Sequence, residues 1–375
     1  MSQPSLQVRD YLARVERLGP LIRESVAESQ RDRRLPPVLV EAFHEEGLFR
    51  ILIAKEFGGA GLSELEAAAV VEAVARHDAS AAWSVMIAAS SAGYARALAP
   101  AVQAEILGGP RTVIAGVINP HTLRFSSRGD GYVVTGRAPF ASGCTHANWF
   151  GAGGMLVGDP QGSSRFKPSS LLVGFVPATS GEILDTWNVT GLRGSGSNEI
   201  LFSDVFIPAS RVADHHDVPA TRAGATIAAV AIGTAHHALA EFRELAAGKL
   251  AFGTRNVIRD RADAQIAFSR ATGLVEAARA LMTSFMADYP DRTSGGPLQT
   301  PGEEALLRLA CVTAADLSVQ AVDLIHTAAG TSTLPENSVI GLCWRDVHAV
   351  QQNLSVQPKH YQSTGEVLLG ARKDI

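Results

Sequence analysis

From Leu6 to Gln30, apolar residues recur at helical spacing among charges such as Arg9, Asp10, Arg14 and Glu16, which predicts an amphipathic helix. Leu35-Pro36-Pro37 opens a second helix, with proline near a start where its missing N–H costs nothing. Ser63-Glu64-Leu65-Glu66 has the form of a capping box and predicts a helix to about Arg76. Ala79 to Leu98 is apolar nearly all round, so this segment is expected to be a central helix. After Gly108-Gly109-Pro110 the texture changes. Thr112–Val117, Tyr132–Thr135, Leu171–Val176 and Glu199–Phe206 are short runs rich in β-branched residues. Turn signals at 129–131, 159–162 and 177–181 separate some of them, which predicts a β-barrel or sandwich. Beyond Ala220, alanine- and leucine-rich segments return, split at Tyr289-Pro290 and at Ser294 to Gly302. They predict a bundle of about four or five helices. The expected organisation is α+β: a helical domain over 1–111, a β domain over 112–215 and a helical bundle domain over 216–375.

Composition narrows the function classes. The chain has 375 residues, 46% of them hydrophobic and 19% charged, enough for two or three cores. Its formal net charge of −4, with both signs mixed along the chain, lacks the basic footprint of a nucleic-acid binder. Cys144, Cys311 and Cys343 lie far apart with no CxxC pair, which argues against a disulfide framework or a structural zinc site. The most apolar stretch, Ala225 to Ala240, is interrupted by Gly233, Thr234, His236 and His237 and reads as a buried helix, not a membrane span. The N-terminus has no apolar signal core, and a cytoplasmic protein is expected.

Common motifs are absent. No phosphate-binding loop occurs, and Gly58-Gly59-Ala60-Gly61 precedes a helix without matching the dinucleotide fingerprint. The adjacent histidines at 215–216 and 236–237 lack the spacing and the carboxylate partners of a helical metal site, so they are read as surface or locally bonded side chains.

Four ordered segments together carry a family resemblance. Ile53 to Ser63 contains Gly58-Gly59-Ala60-Gly61-Leu62-Ser63 at the entry to a helix. Gly131 to Arg137 is followed by Phe140-Ala141-Ser142-Gly143-Cys144-Thr145-His146-Ala147-Asn148-Trp149. Trp187 to Ser197 leads into Val205-Phe206-Ile207-Pro208, and Gly330 precedes Trp344-Arg345-Asp346. In this order, over about residues 20 to 370, they resemble the acyl-CoA dehydrogenase superfamily. The resemblance implies an N-terminal helical domain, a middle β-barrel domain and a C-terminal four-helix bundle. It also implies a flavin, FAD or FMN, between the β domain and the bundle, and assembly as a homotetramer.

The segment Ser142-Gly143-Cys144-x-His146-Ala147-x-Trp149 is more similar to the two-component monooxygenases of that superfamily than to its dehydrogenases. Those enzymes take reduced flavin from a separate reductase and use O2 through a C4a-hydroperoxyflavin to oxygenate a small substrate, aromatic or heteroatom-containing. By this resemblance Ser142 is a catalytic hydroxyl near flavin N5. Ala141, Gly143, Trp149 and Arg345 are cofactor contacts, and His146 and Trp83 are substrate contacts. Taken alone, Ser142-Gly143 is also a plain turn, and His146 and Trp149 also read as packing residues. The glycines of 191–197 are expected to permit positive φ in a tight loop, with Arg193 satisfying backbone carbonyls. The alternative function is an acyl-CoA dehydrogenase or acyl-thioester oxidase. Dehydrogenases of this superfamily often carry a glutamate base after the Arg-Asp pair, and many monooxygenases a histidine. Here that window falls on Asn353 or Leu354, neither a proton acceptor at neutral pH, so Asn353 is the catalytic candidate that remains there.

Overall fold

The computed structural model describes residues 5–158, 164–167, 169–217, 223–250, 255–288 and 300–372. Helix α1 (Leu6–Asp32) is capped by the Ser5 hydroxyl, and α2 (Pro37–Glu45) begins directly after Pro36. The capping box is present at α3 (Glu64–Ala75): the Ser63 hydroxyl accepts from the Glu66 N–H, and the Glu66 carboxylate accepts from the Ser63 N–H at 2.9 Å. Helix α4 (Ala79–Ala92) starts at Asp78, whose buried carboxylate accepts from the Ala81 N–H at 2.7 Å. As its composition predicts, α4 is buried on nearly every side. It stops short of Leu98, tightening to a 3-10 turn over Gly93–Ala97. Ser90 donates back to the Met86 carbonyl at 2.8 Å, a bond that competes with the helix ladder just before the change. Helix α5 (Pro100–Leu107) then leads to the sheet.

The strands are β1 (Ile114–Ile118), β2 (Leu123–Arg128), β3 (Gly131–Ala141), β4 (Trp149–Gly158), β5 (Leu171–Pro177), β6 (Glu182–Leu184), β7 (Asn198–Pro208) and β8 (Val212–Asp214). They form one mixed sheet in the order β6-β7-β3-β2-β4-β5-β8, with β1 pairing parallel to β4. The pairing runs between two ends, β6 and β8, and among the described residues no ladder joins them. Both ends are three-residue strands, too short to carry a continuous closing ladder. Strands β2, β6 and β8 are not marked by any β-branched run in the sequence. β4 is glycine-rich and has no β-branched run, so its strand state comes from pairing with β1, β2 and β5.

Helices α6 (Ala223–Gly248), α7 (Ala262–Asp288), α8 (Pro301–Ala329), α9 (Val339–Gln351) and the short α10 (His360–Leu368) form the C-terminal bundle. The turn at 159–162, the Tyr289-Pro290 break and most of 294–302 lie outside the described residues. The N- and C-terminal helices share one hydrophobic core, running from Val8 and Trp83 to Ile232, Val322 and Val347, while the sheet encloses its own around Phe125, Phe150 and Phe202. The segment Pro301–Thr333 is apolar and long enough to cross a membrane, but 61% of its most apolar window is buried inside the protein, as in a core helix.

Candidate active site

Strand β3 pairs with β7 in a register that slips between Ala138 and Ala141, a bulge at the end of the strand. At the bulge Phe140 takes φ 63° and swings out to solvent, edge-on to Trp187 at 6.2 Å between centroids. The chain turns back at once: Ala141 is buried, and Ser142 after it is only 4% exposed. Gly143 carries φ +74°, and a Cβ there would stand 3.1 Å from the His146 ring, so the turn is built for glycine.

Ser142 Oγ accepts a 2.9 Å hydrogen bond from the indole Nε1 of Trp83, on the second turn of α4. It also lies 2.6 Å from Ser197 Oγ, which in turn lies 2.7 Å from Ser195 Oγ. All three hydroxyls are buried. The Gly143 N–H donates to the Ser195 carbonyl at 2.9 Å, so the turn and the 191–197 loop are held by backbone as well.

The loop is tied on three sides. Arg193 donates to the carbonyls of Gln30 at 3.0 Å and Val189 at 2.7 Å, the role its sequence suggests. The Leu192 N–H donates to the Asp346 carboxylate on α9 at 2.6 Å. Gly191 lies against α9 so closely that a Cβ would meet the Arg345 carbonyl oxygen at 2.3 Å. Positive φ therefore belongs to Leu192 and Gly196, while Gly191 serves close approach instead of backbone freedom, a departure from the expectation. Burial, reinforced by the Asp78 charge, pushes the Asp346 carboxyl up to about 7, with the Leu192 N–H opposing.

Beside this network lie polar atoms with no hydrogen-bond partner. Both ring nitrogens of His146 are hidden, as is Ser80 Oγ, whose side chain abuts Gly194. His146 stacks on Phe49 at 5.3 Å, and burial, with His44 adding, pushes its imidazole down to about 4, so the ring is neutral at physiological pH. Cys144 donates to the Gly196 carbonyl, and burial pushes its thiol up to about 11, which leaves it unreactive.

The structure thus joins Trp83, Ala141, Ser142, Gly143 and His146, while the side chains of the other candidates have different partners. Trp149 opens β4 under the Arg211 guanidinium, 5.3 Å from its ring. Arg345 donates to the Glu336 carbonyl at 3.2 Å. Asn353 lies beyond α9, and its side-chain oxygen accepts from the Ser355 N–H at 2.9 Å in a local turn. The sequence alone gives Ser195, Ser197 and Asp346 no individual role. The alternating hydroxyls of Ser195-Gly196-Ser197 were the one available signal for them.

The 236–237 pair does have carboxylate partners, contrary to expectation: His236 lies 3.8 Å from Glu72 and His237 3.6 Å from Glu241, the latter a locally bonded pair one helical turn apart. Among the described residues no group of three or more His, Cys, Asp or Glu side chains is placed to hold a metal ion.

A flavin fits this seam. Its ring edge carries hydrogen-bond donors and acceptors, and the seam offers a buried hydroxyl with capacity left over beside unpaired Ser80 and His146 atoms. Helices, a mixed sheet and a helical bundle in this order make the acyl-CoA dehydrogenase-like fold. The acyl-CoA dehydrogenase N-terminal domain matches residues 9–107 and the C-terminal domain residues 225–358, and the chain belongs to this family. It is similar to a pigment production hydroxylase of Rhodococcus erythropolis, 30% identical over 348 residues, covering 87% of each chain. It is also similar to the flavin-dependent monooxygenase oxygenase subunit HsaA of Mycobacterium tuberculosis, 28% identical, with 95% of this chain and 94% of that one covered. Among solved structures, XiaF from Streptomyces sp., in complex with FADH2 and glycerol, superposes with a TM-score of 0.87 at 22% identity, covering 98% and 97% of the two chains.

Proposed function

We propose that this protein is the oxygenase component of a two-component, flavin-dependent monooxygenase acting on a small organic substrate, aromatic or heteroatom-containing. The observation that carries the reading is the buried Ser142 hydroxyl, fixed by Trp83 and Ser197 in a chain whose full-length relatives include flavin-dependent monooxygenases. Reduced flavin, FAD or FMN, supplies when bound the two electrons that divide O2 between the product and water. Ser142 would hold the flavin at N5, with the backbone of Ala141 and Gly143 beside it. The ring of His146, neutral and shielded from water, would face the substrate side, and the helices of the shared core would exclude bulk water, which otherwise promotes loss of peroxide. Trp149 and Arg345 remain cofactor candidates in this reading. Trp83 acts through Ser142 more directly than as a substrate contact, because its one polar atom is spent on that hydroxyl.

The window after Arg345-Asp346 holds Asn353, whose amide oxygen is occupied in a turn and which takes no proton at neutral pH. This disfavours abstraction of an α-proton from an acyl thioester. The proposal includes a separate flavin reductase, a cytoplasmic location and a homotetramer, the last checked by light scattering. Supplied with a flavin reductase and NAD(P)H, the protein is expected to consume O2 and release an oxygenated product. Anaerobic bleaching of its oxidised flavin by acyl-CoA, with release of enoyl-CoA, would establish the dehydrogenase reading instead.

A further inference from the structure

A serine hydroxyl has one proton to give and two lone pairs to accept with, whereas an indole N–H only donates. Trp83 therefore takes one lone pair of Ser142 permanently. The remaining capacity depends on Ser197, 2.6 Å away, because either oxygen of that pair can be the donor. If Ser142 donates to Ser197, Ser142 keeps a free lone pair. If Ser197 donates to Ser142, both lone pairs are used and the Ser142 proton is free to point elsewhere. Ser197 meets the same choice with Ser195 at 2.7 Å. Changing between the two arrangements needs only rotation about C–O bonds, and the backbone can stay fixed through the Gly143 N–H to Ser195 carbonyl bond.

We infer that Ser197, backed by Ser195, is a positioning residue that reverses the polarity of the Ser142 hydroxyl between the two redox states of the flavin. The inference rests on the assignment of Ser142 to flavin N5. Reduced flavin carries a proton on N5 and needs an acceptor there, while oxidised flavin has a bare N5 and needs a donor. One rigid hydroxyl cannot serve both. A hydroxyl with a partner that either accepts or donates can, and the buried serine chain provides that partner among groups that water does not reach.

Without the Ser197 hydroxyl, a Ser142 that accepts from reduced N5 is left with a buried proton and no acceptor for it. A Ser142 that donates to oxidised N5 loses only a surplus bond to one lone pair. Ser197→Ala is therefore expected to shift the ratio of reduced- to oxidised-flavin affinity about tenfold toward the oxidised form, the cost of one unsatisfied buried donor in the reduced complex. Both affinities are measured by anaerobic and aerobic titration of the flavin-free protein with FAD and FMN, with no turnover involved. Ser195→Ala, which removes only the far hydroxyl, shifts the ratio of the two affinities in the same direction and stands in should Ser197→Ala not fold. Ser197→Thr, which restores a hydroxyl, returns the ratio toward that of the parent. Equal weakening of both redox forms, or no change in either, would overturn the role of Ser197. Ser142→Ala tests the underlying assignment separately: if it leaves both affinities unchanged, Ser142 does not meet the flavin, and both readings fall together. A loss in Ser142→Ala with a constant ratio in Ser197→Ala removes the polarity inference alone.

Discussion

The indole of Trp83, on α4, donates its N–H to the hydroxyl of Ser142, just past the bulged end of β3, across 59 residues of sequence. This bond joins the helical core to the sheet at the point where the hydroxyl chain begins. Trp83 is 7% exposed and Ser142 4%, so neither partner has water to turn to if the other is removed. The energetics of the site follow from that isolation.

Ser142→Ala is expected to fold, with a stability loss of about 1–3 kcal/mol, because it leaves the buried Trp83 N–H without an acceptor. Its effect on chemistry is at least as large, because losing a preorganised partner in a dry site costs about 3 kcal/mol. Peroxide released per O2 consumed should rise sharply with NAD(P)H and a reductase supplied. Unchanged coupling would reduce Ser142 to a turn residue.

Trp83→Phe keeps an aromatic ring in the core but removes the N–H. Because Trp83 and Ser142 act through one bond, their effects on coupling should not add. In a double-mutant cycle the Trp83→Phe/Ser142→Ala protein should leak little more peroxide than Ser142→Ala alone. Full additivity would place Trp83 outside the hydroxyl network.

Gly191→Ala puts a methyl where the Arg345 carbonyl oxygen stands 2.3 Å away. Backbone on both sides has to shift, so a loss of about 1–3 kcal/mol is expected in urea unfolding. The shift separates α9 from the loop that carries Ser195 and Ser197, so flavin affinity should fall as well. Wild-type stability in this variant would mean that the α9 contact does not hold the loop.

Asp346 predicts a pH dependence of stability. Burial first, and the Asp78 charge second, raise its folded value to about 7, above the ordinary carboxylate range of the unfolded chain. Between those values the folded protein holds a proton that the unfolded chain has released. The contribution is thus fully present below the ordinary carboxylate range and lost as pH rises through about 7. Asp78, raised to about 6 mainly by burial, has the same sign. Asp346→Asn keeps an oxygen for the Leu192 N–H but does not titrate. Its urea midpoint should therefore fall less steeply than the parent's from about pH 4 to 7. Parallel curves would show that Asp346 stays ionised.

Local signals in the chain determined the helices and the class of fold. The Ser63–Glu66 capping box, the proline at the start of α2 and the all-round apolarity of α4 act over one or two turns, so they can be read without knowing what packs against them. Arg193 could be assigned to carbonyls for a similar reason, since its loop leaves carbonyls that need a donor. The order of four motifs along the chain carried the family, and Ser142 stood out within one of them. Tertiary structure decided the rest. The glycine-rich β4 is a strand only because neighbours on both sides complete its ladder. Gly191 is required by a carbonyl 154 residues away, a constraint with no local trace. The hydroxyls of Ser195 and Ser197 become one chain with Ser142 only when β3 and β7 pair in a bulged register. The Asp346 carboxyl departs from its ordinary value because folding buries it beside Asp78. Hydrogen bonding and burial over such separations are set by packing, and short-range periodicity carries no record of them.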